Sequence, residues 1–161
     1  MKKCVFKTDL INDDKPGIAP GFLMWKLTHL WQRFMKSKLE KLELTHIQFA
    51  LLKLLLNKSS SDDRKELITQ SEIAHLTDMN VMMVSQVLRN LEKRNIIRRI
   101  PHPSDTRAKV VELTTEGEKL INEAFKIVQK ANDEFFKPFE KDMPKITLFI
   151  KKILEKNKDL V

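Results

Sequence analysis

Apolar residues along this chain recur mostly at helical spacing, and the polar breaks between them outline six helical stretches and one hairpin. From about Phe22 to Leu42, Leu23, Leu27, Leu30 and Phe34 repeat every three to four residues and predict a buried face. Met24, Trp25, Trp31 and Met35 widen that stripe beyond what one core contact requires. Two readings stay open: a central helix covered on both sides, or a helix shared between a core and a subunit interface. A second helix is predicted from Thr45, where Thr45-x-x-Gln48 has the form of a capping box. Its run from Phe49 to Leu56 is almost wholly apolar, which predicts deep burial. Residues 59–63 are a polar, linker-like loop, and the first 15 residues read as a charged, loosely ordered arm.

Leu67-Ile68 predicts a short strand leading into Thr69-x-x-Glu72, a second capping box that opens a short helix through about Leu76. Residues 77–80 form a turn, and Asn80 is a good N-cap for a helix running to Arg94. Val84, Val87, Leu88 and Leu91 mark its inward face. Asn95 falls where a helix end needs a left-handed residue. Two strands are predicted at Ile96–Ile100 and Lys109–Leu113, separated by a proline-containing turn from Pro101 to Arg107 that projects from the body. Thr114-Thr115 caps a long helix to about Phe139 with two apolar rows, Leu120, Ala124, Ile127, Ala131 and Ile121, Phe125, Val128, Phe135. Asp142-Met-Pro144 breaks it, and a last helix carries Ile146, Phe149, Ile150, Ile153 and Leu154. The fold class is mostly α with a small β-hairpin wing, a winged helix-turn-helix with helices on either side.

Composition agrees with this and adds a direction. The 161 residues are 42% hydrophobic, enough for a core, and only three are glycine. Lys plus Arg number 30 against 22 acidic residues, a formal charge of +8. Between Ser85 and Lys109 seven basic residues (Arg89, Lys93, Arg94, Arg98, Arg99, Arg107, Lys109) meet two acidic ones, Glu92 and Asp105. The excess is therefore concentrated where the hairpin and its preceding helix lie, as binding to a polyanion requires. The longest runs without Asp, Glu, Lys or Arg are ten residues, whereas a membrane span needs roughly 20. With no secretory pattern at the N-terminus and a single cysteine, Cys4, a cytoplasmic location is expected and membranes are not.

A short helix braced across a second, capped helix lets the second lie in the major groove with its N-terminal side chains on base edges. The expected DNA-binding residues are Ser71, Asn80, Met82, Met83, Ser85, Gln86, Arg89, Lys93, Arg107 and Lys109. Gln86 can pair bidentately with adenine and a methionine can touch a thymine methyl, although Met82 or Met83 can equally serve the core. Arg89 and Lys93 suit phosphates, and Arg107 at the hairpin tip suits a narrow minor groove. The alternative reading is a winged-helix protein-interaction module whose basic wing is only a solvated surface. His29, His46, His75 and His102 lie on separate elements without ligand spacing, so no metal or other cofactor is expected. Nor is any nucleophile elbow, phosphate loop or carboxylate pair present, so the chain reads as a non-enzyme.

Three segments carry a resemblance to the MarR family of bacterial regulators: Leu44–Phe49, Ser85–Glu92, and Pro101–Gly117 with its Asp105-x-Arg107 wing. The likeness covers about two-thirds of the chain. It implies a homodimeric, ligand-responsive repressor on a pseudo-palindromic double-stranded operator, with half-sites about one helical turn (~34 Å) apart. It further implies that residues 16–44 and 115–161 serve dimerisation around a DNA-binding lobe at 45–114, that Asp105 orders the wing, and that Trp25, His29, Trp31 and His46 line a site for a small aromatic effector. The recognition helix opens Asn80-Val-Met-Met where the family commonly has polar residues, and Asn95 stands where it commonly has glycine.

Overall fold

The computed structural model describes residues 20–59, 67–105 and 107–158. The arm with Cys4 and most of the 59–63 loop lie outside the described residues. In chain order the elements are α1 (Pro20–Leu39), α2 (His46–Ser59), α3 (Gln70–Thr77), α4 (Val81–Lys93), β1 (Ile97–Pro101), β2 (Lys109–Leu113), α5 (Thr115–Phe136) and α6 (Met143–Asn157). Short 3₁₀ turns follow α1 and α5, at Glu40–Leu42 and Lys137–Phe139. The long helices predicted to run to Leu42 and Phe139 thus tighten in their last turn, as helix ends commonly do. No helix among the described residues is long and apolar enough to cross a membrane.

The chain divides into two units, residues 1–34 and 35–161. In the first, the described part of α1 exposes Phe22, Leu23, Met24, Trp25 and Leu27, while Leu30 and Phe34 are half-buried. Within one chain the face expected to be buried is therefore open at Leu23 and Leu27. Helical spacing says which residues share a face, but a face is buried only where something covers it.

In the second unit the core forms around α2. Phe49, Leu51, Leu52 and Leu55 are buried there, together with Met35, Leu39 and Leu44, and α5 packs alongside. The Nζ of Lys53 on α2 lies 3.9 Å from the ring centroid of Phe125 on α5. The buried row of α5 is Gly117, Ile121, Ala124, Val128 and Ala131, which cuts across the two predicted rows. Leu120, Ile127, Phe125 and Phe135 are only half-buried, because one narrow seam of small and medium residues meets α2. No residue of α6 is buried. Leu148, Phe149, Ile150 and Leu154 are exposed, and Ile146 and Ile153 half-buried.

Three helical segments end in the same way. Glu43, Asp78 and Asn95 each adopt positive φ (52°, 51° and 57°). Beyond each, paired bonds close the end: Leu44 N to Leu39 O with Glu43 N to Glu40 O, Met79 N to Ala74 O with Asp78 N to His75 O, and Ile96 N to Leu91 O with Asn95 N to Glu92 O. This is the Schellman arrangement, normally completed by glycine. A chain with three glycines builds it instead from polar residues, each costing about 1 kcal/mol relative to glycine.

The third of these ends delivers the chain into the hairpin. Because the Ile96 amide closes α4 on Leu91, the first strand starts at Ile97 rather than at the expected Ile96. The antiparallel register sets Ile97 opposite Leu113, Arg98 opposite Glu112, Arg99 opposite Val111 and Pro101 opposite Lys109. The strand predicted at Leu67-Ile68 is reduced to a bridge between Thr69 and Val110, with Val111 N donating to Ile68 O at 2.8 Å. Its neighbour Thr69 is already committed to capping α3, which ends the pairing.

Candidate nucleic-acid interface

The geometry of α3 and α4 follows from their caps. Thr69 Oγ1 accepts from Glu72 N, and the Glu72 carboxylate accepts from Thr69 N at 2.6 Å and from its hydroxyl at 2.8 Å. The Thr69 amide and then its hydroxyl hold the Glu72 carboxyl below the usual range. One turn later Asn80 Oδ1 accepts from Met82 N at 2.8 Å and starts α4. Val84, Leu88 and Leu91 are buried, with Val87 half-buried, so the inward face is as predicted.

The opposite face of α4 carries the candidate contacts. Gln86, Arg89 and Lys93 are exposed and Ser85 is half-buried. Arg89 Nε reaches back to Ser85 O at 3.4 Å. Met82 is 77% exposed and stands clear of the core, whereas Met83, at 38%, is part covered. Asn80 is exposed as well, but its carbonyl oxygen is occupied by the cap. Ser71 is exposed in the first turn of α3. No acidic residue occupies the first turn of α4, so no side chain within that turn offsets the positive end of its dipole.

In the wing, Asp105 Oδ1 accepts from Arg107 N at 2.9 Å, Asp105 O from Ala108 N at 3.1 Å, and Ala108 O from His102 N at 3.2 Å. These bonds fold the chain back so that Arg107 and Lys109 are exposed along one edge. His102 Nδ1 lies 3.3 Å from both the amide and the hydroxyl of Ser104.

The basic stretch is less uniform than its composition implies. Arg98 pairs with Glu112 at 2.7 Å across the hairpin. Arg99 binds the Glu92 carboxylate through both Nε (2.9 Å) and Nη2, and this holds the Glu92 carboxyl below its usual range. Arg94 Nη1 donates to Glu43 O at 2.8 Å. Three of the seven cations are thus structural, and Arg99 strings β1 to α4. The alternation of the strand was the available signal, since with Lys109 opposite Pro101 the register places Arg98 against Glu112. Sequence reasoning also missed the reach of Gln48, whose side chain joins α2 to Asn90 on α4 at 2.9 Å.

The proposed effector residues fall in both units. The rings of Trp25 and His29, one turn apart on α1, lie tilted at 45° with centroids 4.3 Å apart, and His29 Nδ1 lies 2.9 Å from Trp25 O. Trp31 is half-buried on the same helix. His46 begins α2, where burial pushes its imidazole below the ordinary value.

The MarR family model matches residues 44–109. An uncharacterized HTH-type transcriptional regulator of Bacillus subtilis (strain 168), YdcH, is 38% identical over 121 residues, covering 75% of this chain and 80% of that protein. Among solved structures, the MepR–DNA complex of S. aureus superposes with a TM-score of 0.75 at 26% identity, covering 87% of this chain and 99% of the other. A cysteine-to-serine mutant of MarR from E. coli complexed with operator DNA superposes with a TM-score of 0.76 at 22% identity, over 92% and 99% of the two chains. The latter likeness is one of fold.

Proposed function

Because the chain belongs to the MarR family of transcriptional regulators, we propose that it is a homodimeric, ligand-responsive repressor that binds double-stranded DNA sequence-specifically. One observation carries the reading. Helix α4 hides Val84, Leu88 and Leu91 and turns Met82, Gln86, Arg89 and Lys93 outward, with no acid in its first turn. Such a helix can place its N-terminal side chains on base edges while its cations meet the flanking phosphates. Arg107 and Lys109 on the wing extend the contact, Asp105 orders it, and Ser71 and Asn80 border the groove.

The lobe spans residues 45–114, and segments 16–44 and 115–161 serve dimerisation. The exposed apolar faces of α1 (Leu23, Leu27) and α6 (Phe149, Leu154) supply what a subunit interface needs. Two lobes related by a twofold axis face a pseudo-palindrome. Trp25, His29, Trp31 and His46 are the residues we assign to a small aromatic effector, a role for which aromatic side chains are suited. The protein works in the cytoplasm and without catalysis.

A gel-shift titration with the DNA flanking its own gene tests the reading. Retention that survives moderate salt and weakens on Arg107→Ala is expected. Weak retention erased by salt, the same for flanking and unrelated DNA, identifies a protein-interaction module instead.

A further inference from the structure

Between residues 35 and 136 the exposed large apolar side chains among the described residues are Leu76, Val81, Met82 and Met83. Val81, Met82 and Met83 lie in the first turn of α4, the part of a recognition helix that meets base edges, and Leu76 lies in the last turn of α3 just before it. Elsewhere in this stretch such residues are buried or half-buried, so the cluster is not a general lack of core space. Exposed cations lie about two and three turns further along the same helix at Arg89 and Lys93, and others on the wing at Arg107 and Lys109. On α3 the Glu72 carboxylate is turned onto Thr69, while Asp78, exposed between Leu76 and Val81, is an acid beside the cluster.

An apolar tip on a helix whose later turns carry exposed cations fits a ligand whose outside is anionic and whose recessed surface carries apolar groups. Duplex DNA has that form, and the apolar group of its major groove is the C5-methyl of thymine. We infer that the tip of α4 reads thymine methyls, Met82 and Met83 through their flexible thioether chains and Val81 at their side, so that each half-site presents neighbouring thymines at this point. Methionine, unbranched and polarizable, follows the irregular edge of stacked bases better than a rigid residue does. Hydrogen-bond readout then falls to Gln86, one turn further along. The inference rests on the proposal that α4 enters the major groove.

The test starts from duplexes enriched by the full chain from a pool with a random core, then resynthesised with deoxyuridine in place of thymidine. Uracil keeps the base pair and the O4 acceptor and lacks only the methyl. Removing two methyls that the helix touches weakens binding about tenfold. Replacing the read thymine pairs by cytosine pairs weakens it too, and 5-methylcytosine recovers part of the affinity because its methyl sits at the same place in the groove. In Met82→Ala the ratio between thymine and uracil duplexes moves towards one. An enriched duplex bound equally well with uracil overturns the inference and leaves the DNA-binding reading standing. A pool from which nothing is enriched overturns both.

Discussion

The side chain of Gln48 on α2 donates from Nε2 to Oδ1 of Asn90 on α4 at 2.9 Å, and its own Oε1 accepts the amide of Thr45 at 2.9 Å. One residue therefore caps the helix at the centre of the core and holds the helix that carries the candidate DNA contacts. Gln48 is the sole buried polar residue among those described, at 8% exposure, and burial strengthens the bond while raising the cost of leaving it unmade. A double-mutant cycle with Gln48→Ala and Asn90→Ala should give a coupling of about 1 kcal/mol in urea unfolding. Strictly additive effects would show that the two side chains do not act together.

Gly117 occupies a place where no other residue fits. A Cβ there would lie 2.0 Å from the carbonyl oxygen of Ile96, which already accepts from the amide and hydroxyl of Thr114. Alanine would gain about 1 kcal/mol of helix propensity, but the obstacle is backbone at the foot of the wing and cannot rotate away. Gly117→Ala should lower stability by about 1–3 kcal/mol, seen as a reduced urea midpoint. A midpoint at or above that of the parent contradicts the close approach.

Asp78 and Asn95 carry left-handed backbone at the ends of α3 and α4. Asn95→Gly and Asp78→Gly should each be neutral or stabilising by up to about 1 kcal/mol, whereas Asn95→Val should destabilise by about 1–2 kcal/mol. Thermal unfolding of the three variants checks the order, and a valine variant as stable as the glycine one would refute it.

Glu72 and Glu92 both have carboxyl groups held below the ordinary range, the first by Thr69 donors and the second by Arg99. A lowered folded-state pKa means that the unfolded chain binds the proton more readily. Their contribution is present above the ordinary glutamate value, about 4.3, and is lost as pH falls through the folded-state values. Both side chains are close to solvent, so the effect is modest. Glu72→Gln keeps the capping acceptor and should flatten the fall in stability below about pH 4.5. An unchanged acid limb would remove Glu72 from the account.

Arg99 is spent on Glu92, whereas Arg107 is exposed at the wing. Removing one cation that neutralises a phosphate should make the slope of log affinity against log salt shallower by about 0.9. Arg107→Ala should show that change and Arg99→Ala should leave the slope alone. Equal slopes for the two variants would put both arginines in the same role.

Much of the fold was legible because local chemistry acts over three or four residues. The capping boxes at Thr45–Gln48 and Thr69–Glu72, the Asn80 cap, the left-handed Asn95 and the inward face of α4 all form as their spacing implies. The proline turn bounds the hairpin for the same reason. The first strand starts one residue later than its pattern suggests, because two local demands compete at Ile96 and the helix end wins the amide. Charge is less legible, since composition counts Arg98 and Arg99 as cations whether or not an acid sits opposite.

The chain's sequence by itself determined where helices begin and end to within a turn, which stripe of each is apolar, and that a basic hairpin follows a capped helix, because these depend on neighbours a turn away. Only the tertiary structure decided which apolar stripe is covered, which arginines are already paired and which way Met82 and Met83 point. Those outcomes depend on residues far apart in the chain, such as Gln48 and Asn90, being brought within reach. Periodicity marks a surface as fit for burial, but it carries no information on what arrives to bury it. The exposed methionines at the tip of α4 are the consequence, apolar in the sequence and facing outward in the fold.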